Sequence, residues 1–132
     1  MKIVHKSGKR KSSIARATIK EGKGQIRINS KLLENYTPSL ARDKIKEPLH
    51  LAGDIIKKIR IDVNVNGGGF RSQSDAIRLA IARALVEYTQ DKKLEKAFLD
   101  YDRQLLVADT RSKEQRKPNA SKARAKRQKS YR

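Results

Sequence analysis

Ile59, Ile61, Val63 and Val65 alternate without a break with Arg60, Asp62, Asn64 and Asn66, and three glycines follow at once. A strand of that period has one apolar and one polar face, so it belongs to a sheet covered on one side only. Beyond Gly67-Gly68-Gly69 the period changes. Ile77, Ile81, Ala84, Leu85 and Tyr88 recur at helical spacing, which predicts a helix from about Ser72 to Thr89. Ser72 and Asp75 have the spacing of a capping box at its start. A one-sided sheet and an amphipathic helix bury each other, and that is the nucleus of a two-layer fold.

The remaining periodic segments fit the same plan. Ala15, Ala17 and Ile19 alternate with polar residues, as do Ile26 and Ile28, and Glu21-Gly22-Lys23-Gly24 lies between them. Two such runs across a glycine-containing turn predict a β-hairpin. A short strand at Ile3–His5 extends the sheet. Ala41, Ile45 and Leu49 predict a helix that begins at Ser39 after Pro38; Pro48 distorts or ends it, and Gly53 closes the segment. A third helix over Asp91–Tyr101 carries Leu94, Ala97, Phe98 and Tyr101 on one face. The predicted fold class is α+β, a small, mostly antiparallel sheet with helices on one face.

That plan ends near residue 110. Thr110–Arg132 contains no Val, Ile, Leu, Phe or Trp, and carries ten basic residues against the single acid Glu114. It has nothing to bury against the entropy of ordering, so residues 110–132 are expected to be a disordered basic tail that orders on RNA, attached to a globular domain of residues 1–109. The whole chain has a formal net charge of +19, of which the tail holds +9. An imbalance of that size calls for a polyanion as partner. Cysteine is absent, so there is neither a disulfide framework nor a thiolate zinc site, and His5 and His50 have no motif partner. The chain has no run of 18 apolar residues to span a membrane, and its basic opening is followed by no apolar core of a signal peptide, which predicts a cytoplasmic protein. No cofactor, metal or small-molecule substrate is expected.

Three basic features are candidates for the interface. Gly67–Gly69 let a phosphate approach the backbone before a helix N-terminus, or serve as a plain turn with positive φ. No Gly-Lys-Ser/Thr follows, so the loop is not a nucleotide-binding P-loop. Arg71, Arg78 and Arg83 lie along the long helix beside its apolar stripe, placed to grip a phosphate backbone or simply to face water. Lys6-Ser7-Gly8-Lys9-Arg10-Lys11-Ser12-Ser13 reads as a basic loop of small residues. Asp100 and Asp102, the nearest carboxylate pair, sit at a helix end where acids are common, and no catalytic signature appears.

The stretch from Gly67 to Leu85 resembles the hallmark of the small-subunit ribosomal protein nine family. Ser72, Gln73, Ala76, Ala80, Ala82, Arg83, Ala84 and Leu85 fill their slots after the three glycines. Gly8–Arg16 resembles the family's opening, Glu47-Pro48-Leu49 its first long helix, and Tyr101–Asp109 with Gln128–Arg132 the archaeal type. The resemblance covers essentially the whole chain. It implies a ribosomal protein S5 domain 2-like fold with a left-handed β-α-β crossover, and a structural, non-enzymatic seat in the head of the small subunit on the 3′ domain of the ribosomal RNA, among neighbouring head proteins. It also implies a C-terminal tail that reaches the anticodon stem-loop of the peptidyl-site tRNA.

Together, residues and resemblance assign ribosomal RNA to Lys9, Arg10, Lys11 and Arg16, to Gly67, Gly68, Gly69, Arg71, Gln73, Arg78 and Arg83, and to Arg111, Arg116, Lys117, Lys122 and Arg124 in the tail. They assign the tRNA to Lys126, Arg127, Lys129, Ser130, Tyr131 and Arg132. Tyr131 stands where bacterial members carry Lys, so stacking or a hydroxyl contact replaces a charge there. The alternatives are a chromatin-like protein, which would bind duplex DNA as tightly, and an enzyme using the glycine loop for a nucleotide, which lacks a Lys nearby.

Overall fold

A computed structural model of the chain describes residues 1–126, 130 and 131. It is an α+β protein with one five-stranded mixed sheet and three α-helices. The strands are β1 (Val4–Arg10), β2 (Ser13–Glu21), β3 (Ile26–Ile28), β4 (Lys31–Leu32) and β5 (Ile59–Asn66), in the order β1-β2-β5-β3-β4. The helices are α1 (Ser39–Ala52), α2 (Phe70–Thr89) and α3 (Lys92–Tyr101). Only β3 and β5 are parallel; the other three pairings are antiparallel. Parallel neighbours need a crossover, and α1 supplies it.

The alternation of β5 is realised as expected. Ile59, Ile61, Val63 and Val65 are buried with Ala15, Ala17 and Ile19 of β2, facing α2. The expected hairpin between β2 and β3 does not form, because β5 lies between them. The glycines of the connection serve that arrangement. Gly22 and Gly24 donate their N–H groups to the carbonyls of Lys58 and Ile59, at 3.1 and 2.9 Å. A Cβ on Gly22 would stand 2.6 Å from the Cβ of Arg60, so the chain passes the start of β5 only with glycine there.

The hairpin that does form joins β1 to β2, with Ser7 opposite Arg16 and Arg10 opposite Ser13. The segment 6–13 is therefore strand and turn rather than loop. Its inward positions are masked by small residues: Gly8 is buried, and a Cβ there would lie 2.5 Å from the carbonyl oxygen of Ala76 and 2.8 Å from the nitrogen of Ala80. Strand backbone rests directly on helix backbone, which explains why α2 needs alanine at both positions.

Both long helices depart from expectation. α1 runs through Pro48 to Ala52, and Gly53 (φ 66°) ends it by returning its N–H to the Leu49 carbonyl. An internal proline costs about 3 kcal/mol, but Ala41, Ile45, Pro48, Leu49 and Ala52 are all buried on one face and offset it. α2 begins two residues early at Phe70, once the positive φ angles of Gly67 and Gly68 end, with Gly69 as N-cap. No capping box forms at Ser72; Asp75 pairs with Lys44 of α1 instead. α3 forms where expected and is capped by Asp91, which accepts from the Lys93 N–H at 2.9 Å.

Candidate nucleic-acid interface

The glycine loop is held against the β1–β2 hairpin. The buried Ser13 donates its hydroxyl to the Gly67 carbonyl at 2.8 Å, and Gln73 donates its amide to the same oxygen at 3.1 Å. Gly67 and Gly68 have φ of 82° and 65°, where only glycine is unstrained. Added Cβ atoms would lie 2.5 Å from the Ser12 carbonyl oxygen and 2.1 Å from the Ser13 hydroxyl. These two glycines are thus required by the fold itself. Gly69 is different: its φ is −99° and nothing lies within 4 Å of a Cβ there. No steric contact requires glycine at 69, which also serves as the N-cap of α2, where glycine is favoured over an aliphatic residue. Gly69→Val is accordingly expected to cost no more than about 1 kcal/mol, the scale of a lost cap, yet to bind ribosomal RNA more weakly. Gly67→Val should fail in thermal melts. Equal melting of the two variants would contradict this division.

The three helix arginines separate in the same way. Arg71 is exposed, with its guanidinium 5.9 Å from the ring of the exposed Phe70. Arg78 does not flank the apolar stripe in water: it is 7% exposed and its guanidinium is taken by Glu47 of α1 and by Asp102, both terminal nitrogens 3.0 Å from the same Asp102 oxygen. Arg83 donates to the Leu106 carbonyl at 3.1 Å and to the Ser7 carbonyl at 3.2 Å. Arg10 reaches Asp109 at 3.5 Å and the Arg111 carbonyl at 2.8 Å. Arg78, Arg83 and Arg10 therefore clamp successive points of the segment 102–111 that leads out of the body. Their carbonyl and carboxylate partners lie 23 to 101 residues away in sequence, which is why no local pattern announces them.

Asp109 is the anchor of that segment. Hydrogen bonds from the Arg111 side chain and backbone, outweighing partial desolvation and joined by the charge of Arg10, hold its carboxyl well below the usual aspartate range. A depressed acid contributes its anchoring above the ordinary aspartate value of 3.8 and loses it only as pH falls through the lowered one. A carboxyl NMR titration should place Asp109 clearly below that ordinary value, and a midpoint at or above it would remove Asp109 as an anchor.

The clamp leaves the tail root beside the hairpin tip. Lys9, Arg10, Lys11, Ser12, Arg111, Ser112 and Lys113 line an open cleft of about 970 Å³ with five cations, of which Arg10 and Arg111 pair with the adjoining Asp109. From Thr110 on, the described residues form neither helix nor strand. Arg116, Lys117, Lys122 and Lys126 are exposed there, and none has an ion-pair partner among the described residues. Arg124 is engaged by Glu114 at 2.5 Å. Ser130 and Tyr131 are exposed; Arg127, Lys129 and Arg132, expected at the tRNA, lie outside the described residues. No group of three or more metal-ligating side chains occurs among the described residues, and no helix of the structure is long and apolar enough to cross a membrane.

A small α+β body with a predominantly cationic cleft and a basic extension clamped beside it has the form of a basic, non-catalytic module. A family model described as Ribosomal protein S9/S16 matches residues 8–132. The small ribosomal subunit protein uS9 of Methanothrix thermoacetophila is 52% identical over 132 residues, with 100% of both chains covered. Proteins of the same name from two strains of Methanococcus maripaludis are 52% identical over 134 residues, also at full coverage. The chain belongs to the ribosomal protein S9/S16 family, and its role is structural rather than enzymatic.

Proposed function

We propose that this chain, a structural constituent of the small ribosomal subunit acting on cytoplasmic ribosomes, binds the 3′ (head) domain of the small-subunit RNA through its body and tail root. The tip of its tail contacts the peptidyl-site tRNA. The observation that carries the reading is the cleft at the hairpin tip, where body and tail bring five cations together and the one neighbouring carboxylate, Asp109, pairs with Arg10 and Arg111 and leaves Lys9, Lys11 and Lys113 without an ion pair among the described residues. Phosphate neutralisation provides most of the affinity, and the shape of the folded RNA provides the specificity. Lys9, Lys11 and Arg71, exposed around the cleft and the glycine loop, take phosphates. Arg10, Arg78, Arg83 and Gln73 position those groups from inside the protein. Neighbouring head proteins complete the surroundings.

Lys126, Arg127, Lys129, Ser130, Tyr131 and Arg132 form the tRNA-directed tip. Deletion of residues 129–132 leaves eight of the ten basic residues of the tail, so assembly should survive. Subunits carrying the deletion should bind peptidyl-site tRNA more weakly by about 1–3 kcal/mol, the loss of one or two charge-assisted contacts. Unchanged tRNA affinity at several salt concentrations would leave the tip without this role.

A further inference from the structure

We infer that the uncovered face of the sheet is itself an RNA-binding surface, centred on Arg16 and Arg27, and that the exposed side of α3 is not. The inference rests on the proposed rRNA-binding role of the body and says which side of the body performs it.

Charge is divided between the two layers. Residues 1–32, which form β1 to β4, hold ten basic residues and one acid, whereas residues 33–109, which contain all three α-helices, hold thirteen basic residues and twelve acids. Nearly all the surplus of the body thus lies in residues 1–32; Lys6 and Arg10 of that stretch are paired with Glu87 and Asp109, and β5 adds one Arg and one Asp. Because Ala15, Ala17 and Ile19 of β2 and the apolar residues of β5 point to the helices, the alternate residues point away from them. On that face Ser7, Arg16 and Asn64 lie side by side across three strands. Asp62 is the one carboxylate there, and it is occupied by Arg60 at 3.0 Å and Lys20 at 3.9 Å.

The remaining cations of the face have no such partner. Among the described residues neither Arg16 nor Arg27 forms an ion pair, and the Nε of Arg27 is shielded from water with no acceptor. The Nε atoms of Arg42 and Arg78 in the helices are shielded in the same way, but Arg78 is held by Glu47 and Asp102 and Arg42 by the Glu34 carbonyl, whereas Arg27 has no side-chain partner among the described residues. Asn64 and Asn66 are exposed on the same face, adding neutral amides suited to ribose and phosphate oxygens. Unpaired guanidiniums interleaved with amides and hydroxyls match a phosphate backbone, and Lys9 makes the face continuous with the cleft at the hairpin tip.

The test compares two full-length double variants that each remove two charges. Arg16→Gln/Arg27→Gln alters the sheet, and Lys92→Gln/Lys96→Gln alters exposed positions of α3. Binding is measured to a transcribed head-domain RNA and to an unrelated structured RNA of equal length, over a range of salt. The sheet variant should lose about tenfold or more in affinity and flatten the log–log salt slope by about 1.4 to 1.8, while the α3 variant stays within about threefold. Asn64→Asp, equal in shape to the native residue, should weaken binding with an unchanged melting curve. That result guards against a folding defect in the double variant. A sheet variant that binds like wild type, or an α3 variant that loses as much, overturns the inference. If the sheet variant weakens on both RNAs alike and the wild type shows no preference for the head-domain RNA, the head-domain reading fails while the sheet face stands.

Discussion

Replacing Arg78 with alanine should destabilise the protein by about 3 kcal/mol, the low end of what removing one partner of a buried ion pair costs. The effect should appear in denaturant melts of the free protein. Arg78 is 7% exposed and ties α1 to α2 through Glu47 and α2 to the exit segment through Asp102. The low end applies because Glu47 and Asp102 stay about a third exposed and regain water when the guanidinium is gone. Arg78→Lys keeps a charge but not the fork that spans two carboxylates, and should lie between. Arg71→Ala should change stability by less than about 0.5 kcal/mol and should weaken RNA binding instead. If Arg78→Ala melts like wild type, the internal role of Arg78 is wrong.

Removing residues 110–132 is expected to have the largest effect on binding. The tail carries ten of the 33 basic residues. If half of them neutralise phosphates, the log–log salt slope should fall by about 4, at roughly 0.7 to 0.9 per contact. Stability should hardly change: the buried apolar residues all lie at or before Leu105, and Asp109 keeps Arg10 as a partner after the cut. The melting temperature should therefore stay within a few degrees. A truncated protein with an unaltered slope would mean that the tail holds no phosphates.

The sequence made some of this legible for definite physical reasons. β5 and α2 were readable because an element half-buried along its length imprints its own period on its residues. Residues 110–132 contain no Val, Ile, Leu, Phe or Trp from which an element could be predicted, and residues 110–126 form neither helix nor strand. Strand order was not readable. The signal for a hairpin across Gly22 and Gly24 is local, whereas the insertion of β5 between β2 and β3 is decided by pairing more than 30 residues away. Only the start of β1 was readable, at Ile3–His5, because Gly8 fills an inward position where an apolar residue would have continued the alternation.

At the interface, composition identified the polyanion but could not sort the cations. Lys9, Lys11, Arg16 and Arg71 are exposed, as a ligand-facing residue must be. Arg10, Arg78 and Arg83 look the same in sequence but are spent on Asp109, Asp102 and the Leu106 carbonyl. The missed residues, Asp102 and Asp109, are acids in a very basic chain. Their meaning emerges only when the fold brings them to those arginines. The proposed seat in the subunit head and the particular RNAs proposed as partners rest on the resemblance around Gly67–Leu85, while the charge count pointed only to a polyanion.

The most direct measurement is sedimentation of a cell extract containing the full-length protein, with the chain followed through the gradient. The account predicts that it travels with the small ribosomal subunit and leaves it only when high salt strips the RNA of its basic proteins. A chain that stays at the top of the gradient at low salt, free of small-subunit RNA, would contradict the account.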